Sequence, residues 1–187
     1  MAIKYKHSNA YSMYFLTCTC YQWIQLFELT DSYDCVYRWF NYLTERKIAK
    51  VIAYVIMPNH FHCILYFMGE EFDLNKIVSN AKRFMAYELI SRLKITGRTG
   101  LLERLSVGLT EREINKKQKH RVFENSFDAK PIYSEPFLHQ KLDYIHHNPV
   151  SGKWHLVNDY TQYVHSSAAF YDLNESAHFI PVHYLDI

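Results

Sequence analysis

The stretch 50-KVIAYVIMPNHFHCILYF-67 decides how this chain folds. Residues 50–57 form an almost unbroken apolar run, the pattern of a buried strand. Pro58 and Asn59 supply turn chemistry: proline presets its own φ, and asparagine tolerates tight turns through its short polar side chain. Residues 60–67 then return as a second strand, so the segment reads as a β-hairpin. Side chains two apart along a strand share a face. Phe61, Cys63, Leu65 and Phe67 therefore point to one side, which helices must cover. His60 and His62 point to the other.

On the N-terminal side of the hairpin, residues 31–47 place Val36, Trp39, Phe40 and Leu43 at helical spacing. Thr30 or Asp31 can cap that helix by accepting from a free first-turn N–H. Residues 11–21, YSMYFLTCTCY, are aromatic and β-branched and predict a strand. On the C-terminal side, Asp73 caps a second helix. Its Leu74, Ile77, Val78, Ala81, Met85 and Leu89 make one apolar stripe, with Lys76, Lys82 and Arg83 off it. Residues 96–120 are the least regular part, with Gly97, Gly100 and Gly108, a short helical piece near 101–105 and a basic run ending at Arg121. A strand is expected over 121–132 and a helix over 135–148, stopped by Pro149. The Tyr- and His-rich remainder should pack over the surface. The order β-α-β-β-α-β plus a helix predicts an α+β fold in one domain. It is a ferredoxin-like split βαβ sandwich: an antiparallel sheet, helices on one face, and an additional C-terminal helix. That arrangement hosts many functions and settles none.

The 187 residues suffice for a sizeable core, and a net charge of only +2 does not by itself demand a polyanionic partner. Aromatics reach 17%, enough both to fill a core and to leave surfaces on which bases could stack. Cys18, Cys20, Cys35 and Cys63 form no CxxC pair and read as reduced, buried thiols. Residues 1–7 are polar and basic, without the apolar core of a secretory signal, and no apolar run is long enough to span a membrane. A cytoplasmic protein is the expectation.

Two imidazoles side by side on a strand can hold one divalent metal, although an isolated HxH is more often a hydrogen-bonded or surface pair. A third ligand and a nucleophile would complete a site, and the helix over 135–148 offers both. Tyr144 and Asn148, four apart, share one of its faces, and His147 is close by. Asn148 or His147 could close a cation site with Tyr144 beside it. Taken alone, Tyr144 is simply one of 16 tyrosines.

MPNHFH at 57–62, LDYIHHNPV at 142–150 and Ser166-Ser167-Ala168 stand in a fixed order along the chain. Together they resemble the single-tyrosine HUH transposases, most closely the REP-associated tyrosine transposases. The resemblance runs from Tyr14-Phe15 to Ala168. It lapses over 96–120, and in 121–127 it lacks a tryptophan often found there in relatives. It implies a single-stranded DNA transposase and endonuclease with Tyr144 as nucleophile and His60, His62 and Asn148 on Mg²⁺ or Mn²⁺. Cleavage would leave a 5′-phosphotyrosine and a free 3′-OH, whose reverse attack rejoins strands. The implied substrate is single-stranded DNA with hairpin or palindromic elements. Family members act as homodimers with sites in trans or as monomers with sites in cis. Lys82, Arg83, Lys116, Lys117, Lys119 and Arg121 are candidates for phosphate contacts, a solvated loop being the alternative. Two other readings compete. A non-catalytic or domesticated nucleic-acid-binding protein would carry exposed aromatics on its middle strands, where His60 and His62 stand. A histidine-triad hydrolase would need a third alternating histidine, where Ile64 stands.

Overall fold

The hairpin stands at one edge of a four-stranded antiparallel sheet of order β2-β3-β1-β4. These strands are β1 (Met13–Thr19), β2 (Ala49–Met57), β3 (His60–Phe67) and β4 (Asp128–Pro131). The computed structural model describes residues 11–69, 71–115, 117–175 and 178–187, so the basic start at 1–7 and Lys116 lie outside the described residues. The strand order is that of the split βαβ sandwich. β3 is central: His60 faces Thr19 on β1 and Met57 on β2, and His62 faces Thr17 and Val55.

The two faces of the sheet are covered differently. Phe61, Cys63, Leu65 and Phe67 join Tyr14, Leu16 and Cys18 of β1 in a core roofed by α2 (Asp34–Glu45) and α3 (Leu74–Ile95). α2 contributes Val36, Trp39, Phe40 and Leu43, and α3 contributes Leu74, Val78, Ala81, Met85, Leu89 and Leu93. The four thiols are free and buried; burial pushes Cys18 up to about 12, which keeps it protonated and inert. The opposite face receives α6 (Glu135–His147), whose Leu138, Leu142 and Ile145 pack on Phe15, Ile52, Ala53, Val55 and Ile64. Each such side chain stabilises by about 1.5–3 kcal/mol when fully buried. Helices thus occupy both faces, and the last one lies on the face that carries His60 and His62.

β2 is an edge strand, and an edge leaves unpaired backbone groups that invite wrong partners. The C-terminal segment covers it. Ser167 N–H donates to Tyr54 O (2.9 Å), His165 O accepts from Ile56 N–H (2.8 Å), and the hydroxyls of Tyr163 and Tyr171 donate to Ile56 O and Ile52 O. A register shift between Val51 and Ala53 marks a bulge, which puts Ile52 and Ala53 on the same face beneath α6.

Several elements differ from the sequence reading. Neither Thr30 nor Asp31 caps α2, whose N-cap position is Tyr33 and carries no side-chain cap. A short helix α1 (Leu26–Leu29) ends there instead, Thr30 Oγ donates back to Leu26 O, and Asp31 takes φ +48° to turn the chain. Residues 96–120 are largely helical, not a loop: α4 (Thr99–Val107) and α5 (Glu111–Asn115) lie there. Gly97, at φ +65°, ends α3 with Gly97 N–H on Lys94 O and Arg98 N–H on Leu93 O, so this glycine is a helix stop, not a sign of irregular chain. The strand expected over 121–132 shrinks to β4, preceded by one isolated bridge between Cys20 and Phe123, because Lys82 Nζ binds the carbonyls of Glu124 and Ser126. Pro149 does not end the helical path; Asn148–Val150 continue it as a 3-10 turn. The cap predicted at Asp73 is present, its carboxylate accepting from Lys76 N–H at 2.9 Å.

Candidate active site

His60 and His62 are each only 4% exposed, and their rings stand 4.7 Å apart at 77°. Their local partners orient them. His60 Nδ1 lies 2.7 Å from Asn59 Oδ1, and the Asn59 amide is itself fixed by donating to Trp23 O at 2.9 Å. Since Asn59 Oδ1 can only accept, His60 Nδ1 carries the proton and Nε2 keeps a free lone pair. His62 Nδ1 lies 2.9 Å from Thr17 Oγ and its ring stacks on Phe15 at 5.3 Å. Burial, together with the Lys153 ammonium, pushes His60 down to about 4. Burial first, then the neighbouring His60 and Lys141, pushes His62 well below the usual histidine range. Both imidazoles are therefore neutral at physiological pH, the form that binds metal.

Tyr144 comes from α6. It is 48% exposed, and its ring meets His62 at 5.1 Å and Phe15 at 5.9 Å. Asn148 lies one turn on, about 6 Å further along the helical path. The next segment brings Trp154 to 6.2 Å from His60. α6 and its continuation therefore run past the histidine pair from His62 to His60, with Asn148 between the two contacts in sequence. His147 is turned away, with Nδ1 3.0 Å from Asp143 Oδ1 and its ring 4.1 Å from Tyr160. His146 is buried and bonded to Ser167 Oγ at 2.9 Å.

The donor set suits a cation. Among the described residues, the buried side-chain atoms without a hydrogen-bond partner are His62 Nε2, Asn148 Oδ1 and Arg121 Nε. Leaving a buried polar atom unpaired costs about 1–3 kcal/mol, and two of these three belong to the predicted ligand set. No group of three or more His, Cys, Asp or Glu among the described residues is placed to hold a metal.

Of the six basic residues, Lys82 and Arg121 are engaged elsewhere in the fold. Lys82 Nζ is held by backbone carbonyls, and Arg121 pairs with Glu124 at 3.2 Å and lies over the Tyr21 ring at 4.7 Å. Arg83, Lys117 and Lys119 are exposed, and Lys116 is outside the described residues. The cations nearest the site were missed in the sequence. Lys141 Nζ is 5.0 Å from the Phe15 ring and 5.5 Å from that of Tyr144, and Lys153 Nζ is 5.5 Å from Trp154. Lys141 could have been found, since it precedes Tyr144 by three and so shares its helix face.

A scan against protein-family models and a search of curated proteins found no match. Solved structures do match. The chain is similar to a REP-associated tyrosine transposase bound to a REP hairpin, with a TM-score of 0.58 and 17% identity over 96% of this chain and 90% of that one. It is also similar to a candidate transposase from Deinococcus radiodurans R1, with a TM-score of 0.42 and 15% identity over 78% of this chain and 92% of that one. The first likeness establishes the fold class: this chain has the α+β fold of a tyrosine transposase along nearly its full length.

Proposed function

We propose that this protein is a single-tyrosine HUH transposase of the REP-associated kind, which cleaves and rejoins single-stranded DNA bearing hairpin or palindromic elements. The observation that carries this reading is Tyr144 set against His62 of a buried, neutral histidine pair, on a fold shared with a REP-associated tyrosine transposase. Mg²⁺ or Mn²⁺ on His60, His62 and Asn148 would polarise the scissile phosphate and stabilise charge on its oxygens. Tyr144 supplies the nucleophile. Its phenolic oxygen attacks phosphorus in line, and the bond from phosphorus to the 3′ oxygen breaks. The upstream strand leaves with a free 3′-OH, while the 5′ phosphate stays esterified to the tyrosine. The ester conserves the bond energy, so attack by another 3′-OH reverses the step and joins strands. The Lys141 ammonium, 5.5 Å from the Tyr144 ring, favours an incoming phosphate there.

The test is a covalent adduct. Single-stranded oligonucleotides from hairpins flanking the protein's own gene, labelled at either end, are incubated with Mn²⁺ or Mg²⁺ and run on a denaturing gel. The expected adduct carries the 3′ fragment and is lost in Tyr144→Phe, in His60→Ala/His62→Ala and in EDTA. An adduct surviving Tyr144→Phe would assign the nucleophile elsewhere. Salt-dependent binding without any adduct would favour a non-catalytic, domesticated protein.

A further inference from the structure

His60 is flanked by two indoles from segments more than a hundred residues apart. Trp23 meets its ring at 5.6 Å and 72°, and Trp154 at 6.2 Å and 41°. Trp23 is 55% exposed, an apolar surface left in water beside the site. Its backbone is nevertheless tightly set. Gln22 and Trp23 both adopt left-handed conformations, at φ +52° and +56°, which are strained for non-glycine residues. Surrounding bonds hold them there. Asn59 Nδ2 donates to Trp23 O (2.9 Å), Gln22 N–H donates to Glu124 Oε1 (2.9 Å), and Arg104 donates twice to Gln22 Oε1 (3.0 and 2.8 Å). The same amide that orients His60 thus also fixes the indole. Trp154 is half-buried, and the exposed Lys153 ammonium lies 5.5 Å over its ring.

Resting on the function proposed above, we propose that Trp23, Trp154 and Lys153 form a nucleobase subsite at the His60 end of the site. An unpaired base next to the scissile phosphate stacks on the indoles, and Lys153 takes a flanking phosphate. Only a single strand presents a free base face, so the subsite favours unpaired over duplex DNA. Base stacking on one aromatic side chain corresponds to roughly 5- to 150-fold in affinity. Lys141, with Phe15 and Phe137, lies at the opposite, His62 end. The strand would then cross the histidine pair between two cation–aromatic clusters.

The test needs no cleavage. Binding of a dT12 strand and of an all-abasic strand of equal length is measured without metal, by quenching of tryptophan emission and by fluorescence anisotropy. The two strands carry the same charge, so their difference isolates the bases. The expected results are quenching by dT12 and a loss of about 5-fold or more for Trp23→Ala on dT12 but not on the abasic strand, with Trp23→Phe keeping most of the affinity. Trp154→Phe, which spares the packing, should weaken dT12 by a smaller factor. Equal losses on both strands, or no loss on either, would overturn the subsite. Base-dependent binding in a protein that never forms the Tyr144 adduct would sustain the subsite and sink the nuclease reading. An adduct formed by a protein whose Trp23→Ala variant binds both strands normally would do the reverse.

Discussion

Asn59→Ala separates what holds the site together from what merely surrounds it. The Asn59 side chain is 2% exposed and makes two hydrogen bonds, at 2.7 Å to His60 and 2.9 Å to Trp23 O. Alanine removes both and leaves His60 Nδ1–H without an acceptor in a dry setting. At about 1 kcal/mol per bond, plus the cost of the stranded donor, the loss should be about 2–4 kcal/mol. A domain of this size shifts by about 2–4 °C per kcal/mol, so Tm should fall by about 5–15 °C while the protein stays folded. The ring of His60 would also be free to rotate and to change tautomer. Loss of such an outer-shell partner typically weakens metal binding by about 10- to 100-fold. Isothermal titration with Mn²⁺, alongside thermal unfolding followed by circular dichroism, reads both effects. Asn59→Asp keeps an acceptor for Nδ1–H but loses the donor to Trp23, so it should recover most of the Mn²⁺ affinity and only part of the stability. Unchanged Mn²⁺ affinity in Asn59→Ala despite a lowered Tm would refute the claim that this amide prepares His60 as a ligand.

Four further outcomes are expected. Ser167 is fully buried, its hydroxyl joining Tyr54 N–H (3.0 Å) and His146 Nε2 (2.9 Å), so Ser167→Ala should cost about 2–3 kcal/mol in urea unfolding, and a cost under 0.5 would deny that this contact ties α6 to the sheet edge. Lys141→Gln should weaken single-stranded DNA binding on every sequence and flatten its log–log salt dependence by about 0.7; an unchanged slope removes Lys141 from the phosphate contacts. Burial, reinforced by His178, pushes His165 down to about 4. The unfolded chain therefore binds the proton more tightly, and stability present above the unfolded histidine value of about 6.5 should drain away as pH falls from there towards 4; His165→Gln should make the fall in Tm over that window shallower, and an unaltered profile would contradict the assignment. EDTA should lower stability only by the ligand-binding contribution, about 2.7 kcal/mol at a hundredfold excess of metal over Kd, and loss of the near-ultraviolet circular dichroism in EDTA would show that the fold itself needs metal.

The hairpin and the two roofing helices were legible because apolar periodicity reports directly on burial: β3 begins at His60 and ends at Phe67 as read, and α3 starts behind its Asp73 cap. The pairing of Tyr144 with the histidines was not written in any periodicity. A helix stripe says that α6 packs, not which face of the sheet it takes, and motif resemblance supplied that placement in advance of geometry. Residues 96–120 misled because three glycines look like loop chemistry, whereas Gly97 terminates one helix and Gly100 lies within the next. The basic run misled for a different reason. Charge is visible in sequence but its partner is not, and Lys82 and Arg121 turn to Glu124 and its neighbours. Thr17 and the two tryptophans act across strands or over long separations, so nothing local could mark them.

The division of labour on the α6 face explains how such a site can be ready before metal or DNA arrives. Leu138, Leu142 and Ile145 seat the helix on Phe15, Val55 and Ile64, and at about 1.5–3 kcal/mol each their burial amounts to a gross gain of roughly 5–9 kcal/mol. None of these side chains is a candidate ligand. Two of the candidate ligands are held independently by bonds of their own, His60 to Asn59 and His62 to Thr17, and both are kept neutral by burial. Two fully buried atoms of the proposed ligand set, His62 Nε2 and Asn148 Oδ1, are left unpaired, so the desolvation penalty a cation would relieve at them is a few kcal/mol, smaller than the packing that seats α6. On the function proposed above, placing Tyr144 is thus a task of the apolar core and not of the proposed ligands. A tyrosine fixed by packing beside preoriented ligands has already met the orientational cost that otherwise enters the barrier for attack on phosphorus.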